Sequence, residues 1–220
     1  MHRSQQLALA LFTSCLITIL SACASGSAKI RLVNAYPSQS DLDMLIDSKN
    51  VASSVTYGSA SGYTSVSSGS RHLQVEASGT TNVFTDQTIT LSSGSSSSVL
   101  ATNAGSIVLT DNNATPSSGN ISLRVINASS SLGTTDIYVV APGTNLAGVS
   151  PTFSGITFPA ATAYTTVAAG SYQIIFTLPG QKVGVITSSS LSFSSGQVRT
   201  IVGLAGQTGG FTISVLSDLN

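Results

Sequence analysis

Charge is what this sequence has least of: Lys, Arg, Asp and Glu make up 7% of its 220 residues, against roughly a quarter in ordinary globular chains. There are two cysteines, two histidines, a single glutamate (Glu76) and no tryptophan. Each shortage excludes chemistry. Zinc clusters and Cys-His machinery lack their parts, and no G-x-S-x-G elbow, H-E-x-x-H helix, Walker loop or dinucleotide fingerprint occurs. The expectation is a chain that is not an enzyme, with no catalytic residues, no cofactor and no metal. From Cys23 onward, seven basic residues face eight acidic ones, a net charge near −1. No basic patch forms, which argues against nucleic acid.

What is present begins with an export signal. Arg3 precedes a mainly apolar run from Leu7 to Leu20, closed by the small residues of "LSAC" (Leu20 to Cys23). This is the layout of a signal peptide. Thr13, Ser14 and Thr18 interrupt the run, and it falls short of the about 20 apolar residues that span a bilayer. "LSAC" resembles the bacterial lipobox, in which the peptidase cuts before a cysteine whose sulfur has received a diacylglyceryl group. The resemblance implies cleavage between Ala22 and Cys23, lipidation of Cys23 and attachment to the membrane through acyl chains; two or three chains hold where one holds only marginally. Cys15 leaves with the peptide. An acylated Cys23 then leaves no thiol for a disulfide or a nucleophile. Ala24 follows in place of the Asp that commonly retains Gram-negative lipoproteins in the inner membrane, so the resemblance favours the outer membrane of the cell envelope.

Internal similarity divides the rest of the chain. "IRLVNA" (Ile30 to Ala35) recurs as "LRVINA" (Leu123 to Ala128), "GYTSVSSGS" (Gly62 to Ser70) as "AYTTVAAGS" (Ala163 to Ser171), and "VLTD" (Val108 to Asp111) as "VLSD" (Val215 to Asp218). The growing offset places insertions in loops of the second copy, chiefly between Ala141 and Ala160. The expected domains are a signal peptide over 1–22, a tether over 23–28, a β-sandwich over 29–111, the polar linker "NNATPSSGN" over 112–120, and a second β-sandwich over 121–220. Short runs of Val, Ile, Thr, Tyr and Phe separated by Gly, Ser, Asn and Pro predict strands throughout, about seven per copy. Leu73, Val75 and Ala77 alternate with His72, Gln74 and Glu76, and Ile174, Phe176 and Leu178 take the same parity in the second copy, as half-buried antiparallel strands do. The fold class is all-β: two tandem antiparallel sandwiches, immunoglobulin-like or transthyretin-like.

The order "VNAYP", "DLDMLID", "VTYGSASGYTSVSSGSRHLQVEASG", "TITLSSG", "VLTD" resembles the secreted bacterial module called domain of unknown function 4397. In the second copy "NASSS" lacks the proline of "NAYP", and Val140 stands where the first copy has Asp47. The resemblance implies an extracytoplasmic β-sandwich and brings no catalytic residues with it.

Candidate ligand-binding residues are therefore few. Asp41, Asp43 and Asp47 are the only acidic cluster, and hard cations take carboxylate oxygens, but the spacing lacks the glycine and terminal glutamate of a calcium loop. Asp43 and Asp136 recur at the start of equivalent strands, and the plainer reading is that they accept backbone N–H bonds from the preceding loop. Tyr36, Tyr57 and Phe153, expected in loops, are the aromatics a glycan site would use. Tyr63 with Tyr164 read as packed tyrosines, and Gly69 with Gly170 as hairpin turns. His72 and Glu76 share one strand face at about 13 Å, too far for cooperation, and read as solvated. Two functions follow: a non-enzymatic, lipid-anchored envelope protein for adhesion, scaffolding or ligand display, or a glycan- or cation-binding accessory using Tyr36, Asp41, Asp43 and Tyr57. Sheet edges poor in charge add self-association as a partner expectation, beside an envelope protein or a glycan.

Overall fold

The computed structural model describes residues 26–219; the expected signal peptide, Cys23 and most of the tether lie outside the described residues. In the first half of the chain the strands are β1 (Ser27–Asn34), β2 (Asp41–Ile46), β3 (Lys49–Thr56), β4 (Thr64–Ser67), β5 (Gly69–Ala77), β6 (Val83–Leu91), β7 (Ser96–Thr102) and β8 (Gly105–Asp111). In the second they are β9 (Asn120–Asn127), β10 (Thr134–Val140), β11 (Phe153–Thr157), β12 (Ala160–Ala161), β13 (Thr165–Ala168), β14 (Gly170–Thr177), β15 (Gly184–Thr187), β16 (Leu191–Phe193), β17 (Val198–Ala205) and β18 (Phe211–Leu219). One 3-10 turn at Ser130–Leu132 is the exception to β structure among the described residues.

The protein is all-β, built of β-sandwiches. Residues of the first half form the sheets β4-β1-β7-β8 and β3-β2-β5-β6. Those of the second form β12-β9-β17-β18, with β13 also on β9, and β11-β10-β14-β15, with β16 also on β14. The strand order is the same in both. Pairings are antiparallel except β1 with β7 and β9 with β17, which are parallel. The first half has eight strands against the expected seven, and the second has ten because the counterparts of β4 and β6 are each split, into β12 and β13 and into β15 and β16.

Each half has its own core. Ile30, Leu32, Met44, Leu73, Val75 and Val99 fill the first; Leu123, Val125, Ile137, Ile174, Phe176 and Ile201 fill the second. The expected alternation is present, since Leu73, Val75, Ile174 and Phe176 are fully buried. Leu178 breaks it, lying one residue beyond β14 and half exposed. A third cluster joins the halves. Val33, Leu100, Ile126, Val202, Leu204 and Leu216 pack together, and in a pleated strand they point away from the neighbours that fill their own sandwich cores. The sheets β4-β1-β7-β8 and β12-β9-β17-β18 therefore pack face to face, and the molecule is four sheets deep. Strands β1 and β9 are buried on both faces, which is why "IRLVNA" and "LRVINA" read as almost unbroken apolar runs.

Two buried asparagines, Asn34 and Asn127, close the ends of these strands. Asn34 Nδ2 donates to the Val55 carbonyl at 2.9 Å and its Oδ1 accepts the Tyr36 N–H at 3.0 Å; Asn127 bonds the Gly133 and Ile156 carbonyls and the Ser129 N–H. Gly69 is not in a hairpin. With φ +95° it follows Ser68 at the corner where the chain leaves β4 in one sheet for β5 in the other, a turn that an L side chain resists.

Candidate functional site

The four candidate ligand residues share a region of sequence but are not gathered around one cavity. Tyr36 is half-buried against the first core, its ring 4.9 Å from that of Phe84. Tyr57 follows β3 and turns toward the second half, where its hydroxyl donates to the Ala205 carbonyl at 2.6 Å; burial raises its pKa. The bond fixes the ring, which packs against the apolar cluster shared by the two halves. Asp43, about nine-tenths buried, accepts the Ser54 N–H at 2.7 Å. Its counterpart Asp136 accepts the N–H groups of Gly155 and Gly180 at 2.9 and 2.8 Å. Both aspartates are backbone acceptors, but the donors come from later in the chain, not from the preceding loop. Ser54 and Gly155 sit at positive φ where the facing strand bulges, and the carboxylate satisfies the N–H that the bulge releases. Asp41, partly exposed, opens β2. Phe153 opens β11 rather than lying in a loop, and packs on the second core.

Asp47 leaves the acidic set altogether. In a turn at φ +51°, it accepts the His72 N–H and pairs with Arg71 at 3.0 Å, and these contacts hold its pKa below the usual carboxylate range. His72 finds Asp86, not Glu76: Nε2 lies 2.6 Å from Oδ1 on the exposed face of β5 and β6. That bond and one from Gln74 lower the Asp86 pKa. Among the described residues no group of three or more His, Cys, Asp or Glu is placed to hold a metal.

Of the clefts that open among the described residues, three are well formed, and none of these three is lined by Tyr36, Asp41, Asp43 or Tyr57. The first, about 480 Å³, lies between Gly26, Ser27, Asp47, Lys49, Asn50 and Ser67. The second, about 350 Å³, runs between β15 and β18, with Val185, Leu191, Phe211 and Val215 on its walls. A third, about 480 Å³, is bordered by Leu178, Val183 and Val185.

The most elaborate polar arrangement is buried between the halves. Arg31, 1% exposed, donates from Nε to Ser98 Oγ at 2.7 Å, from Nη1 to the Ser217 carbonyl at 2.9 Å, and from Nη2 to Asp218. Its guanidinium lies 4.7 Å from the centre of the Tyr63 ring. Arg124, 2% exposed, mirrors it in the opposite direction: Nε donates to Thr200 Oγ1 at 3.1 Å and Nη1 to the Thr110 carbonyl at 3.4 Å, while Nη2 makes an ion pair with Asp111 Oδ1 at 2.8 Å that lacks hydrogen-bond alignment, with the Tyr164 ring 4.6 Å away. Each arginine thus reaches the aspartate of the other half. Each aspartate is held by its own half, Asp111 by Tyr63 and Ser98, both at 2.7 Å, and Asp218 by Tyr164 at 2.8 Å and Thr200 at 2.6 Å.

Register explains the geometry, since the parallel pairings set Arg31 beside Ser98 and Arg124 beside Thr200. Burial acts most strongly and lowers the Arg31 pKa, but the charge and hydrogen bond of Asp218 together with Tyr63 and the charge of Asp111 outweigh it, and the group is held above its ordinary value. Burial pushes both tyrosine hydroxyls far up, so both stay protonated as donors. Two positive and two negative charges close a neutral, water-excluded network with pseudo-twofold symmetry. The sequence reading paired Tyr63 with Tyr164 but assigned no role to Arg31, Arg124, Asp111 or Asp218.

Comparison with known proteins adds the following. The family described as "Domain of unknown function (DUF4397)" matches residues 28–138, from β1 through the first half and on into β10. No curated protein matches the chain. Among solved structures, a family 26 carbohydrate-binding module from Eubacterium rectale, in complex with maltoheptaose, is similar at 13% identity over 85% of this chain and 95% of that one, with a TM-score of 0.29. A family 41 carbohydrate-binding module from streptococcal virulence factors, a group described for α-glucan recognition, is similar at 12% identity over 81% and 93%, with a TM-score of 0.27.

Proposed function

Starting from the chain's membership of the domain of unknown function 4397 family, we propose that it is a non-enzymatic, lipid-anchored protein of the cell envelope, a stiff platform that displays a binding face at the membrane surface. One observation carries the reading. Strand β1 opens at Ser27, four residues after Cys23, and it is the strand whose Arg31 crosses to Asp218 in the other half. Four residues extend to about 14 Å at most, so an anchor on Cys23 would pull on the element that locks both halves together. Both sandwiches would then move with the anchor as one body. A long flexible tether would suit reach; this arrangement suits presentation at a fixed height, as in scaffolding or adhesion. The outer membrane is the proposed location.

Fractionation of wild-type and Cys23→Ser cells, with proteinase K applied before and after lysis, tests the proposal. Wild type is expected with the outer membrane and the Cys23→Ser form in the soluble fraction. Digestion in intact cells would support adhesion, and protection until lysis would support periplasmic scaffolding. Membrane association unchanged by Cys23→Ser would overturn the anchor.

A further inference from the structure

The two halves share a strand order but differ along one side. In the first half, the gap between the edge strands β6 and β8 is bridged by polar side chains: Thr85 Oγ1 meets Ser106 Oγ at 2.8 Å, and Gln87 Nε2 reaches the Ser106 carbonyl at 3.3 Å. In the second half, Ile213 takes the place of Ser106, and the counterpart of β6 is broken into β15 and β16. The mouth of the sandwich stays open as the cleft between β15 and β18. Five of the six large apolar side chains exposed among the described residues belong to this half: Leu178, Val183, Val185, Phe211 and Val215, at 36% to 77% exposure.

β18 is also an unprotected edge. Among the described residues it pairs only with β17; it runs for nine residues and contains neither proline nor a positive charge. Proteins ordinarily blunt such edges with lysine, proline, short length or a cover. The single charge in the strand, Asp218, is buried in the network with Arg31, so nothing on the strand repels a copy of itself.

We propose that β18 pairs antiparallel with β18 of a second copy of this chain about a twofold axis near Ser214, making one sheet continuous across the dimer. An unpaired strand edge selects an extended strand as its partner, because only that answers its row of N–H and C=O groups. The strand is complementary to itself: centred on Ser214, antiparallel pairing sets Ile213 opposite the second copy's Val215, twice by symmetry, and such β-branched pairs stabilise sheets. Arg199, bonded to Ser217 Oγ and the Leu219 carbonyl, is the one cation facing this edge. The same register carries it toward the second copy's Phe211 and away from the second copy's Arg199. The apolar patch beside β15 lies along the same side and is covered with it.

Sedimentation equilibrium of the full chain in density-matched detergent tests this, with Val215→Lys and Phe211→Lys on β18 and Val83→Lys, an exposed valine of β6 in the other half, as control. Wild type and Val83→Lys are expected to dimerise. The β18 variants should associate on the order of a hundredfold more weakly, because symmetry counts each substitution twice. Circular dichroism verifies that the variants fold; should either fail, Thr212→Lys on the same strand is read in its place, with the same loss expected. A wild-type chain monomeric up to roughly 100 µM overturns the proposal, since association weaker than that falls below the stability of a specific strand pairing. A dimer indifferent to the β18 substitutions also overturns it, by placing the contact elsewhere.

Discussion

The cross-half network makes its clearest demand through Asp218→Asn. The substitution keeps the shape and leaves an oxygen to accept from Thr200 and Tyr164, but it sets an amide NH2 where Oδ1 accepted from Arg31 Nη2, so it removes both the charge and the acceptor opposite Arg31. Arg31 is 1% exposed and retains Ser98 Oγ, the Ser217 carbonyl and Asp111 Oδ2, the last at 4.0 Å. Taking one partner from a buried ion pair costs about 3–5 kcal/mol, and the contacts that remain set the expected loss near the lower end, about 3 kcal/mol. For a chain of this size that lowers Tm by roughly 10 °C. Calorimetry and urea unfolding measure it, and two further variants sharpen it. Asp111→Asn, the symmetry-related change, should cost a similar amount through Arg124, whereas Arg31→Met combined with Asp218→Leu should regain most of the stability, because apolar side chains can replace a buried pair without loss. Wild type is expected to unfold in a single transition, since the apolar cluster and the network both span the halves. A loss below about 1 kcal/mol for Asp218→Asn, or a wild type that melts in two steps, would refute the view that these charges clamp the halves.

Other expectations follow from the same contacts. Burial raises the pKa values of Tyr57, Tyr63 and Tyr164 above the ordinary phenol value of 10.0. Their contribution is complete below pH 10 and is lost as pH rises, because the unfolded chain gives up these protons first; absorbance at 295 nm should show tyrosines that ionise only on unfolding, and Tyr63→Phe should remove part of the alkaline instability. Gly203→Ala places a Cβ 2.8 Å from the Phe176 ring, and overpacking of that kind should cost about 1–3 kcal/mol in urea titration. Asp136→Ala strands the N–H groups of Gly155 and Gly180 and should cost about 2 kcal/mol, more than Asp43→Ala, which strands one.

The strands were legible wherever burial is one-sided. Leu73 and Val75 alternate with polar neighbours, and the structure buries those two and leaves His72 and Gln74 more exposed. Two-sided burial was harder to see. Ile30 and Leu32 announce one face of β1, but Arg31 and Val33 on the other suggest solvent until a second sheet is known to lie there. The unbroken apolar stretch around a lone arginine, repeated 93 residues later in a chain so poor in charge, was the available signal. Its partners were not legible: Arg31 and Asp218 stand 187 residues apart, and no local pattern relates them. Tyr57 lies in a loop as its sequence context suggests, but its acceptor, Ala205, belongs to the other half and carries no local signal. Asp43 and Asp136 were legible as backbone acceptors, while their donors depended on bulges in the facing strands that strand propensity does not foretell.

Cys23 is the proposed point where the platform meets the membrane, and mass spectrometry of the purified protein's N-terminal peptide tests this most directly. Trypsin should release Cys23–Lys29, "CASGSAK", beginning at Cys23 and carrying a diacylglyceryl group on sulfur with an acyl chain on the new amino terminus. The same peptide without acyl mass, or an N-terminus at any other residue, would contradict it.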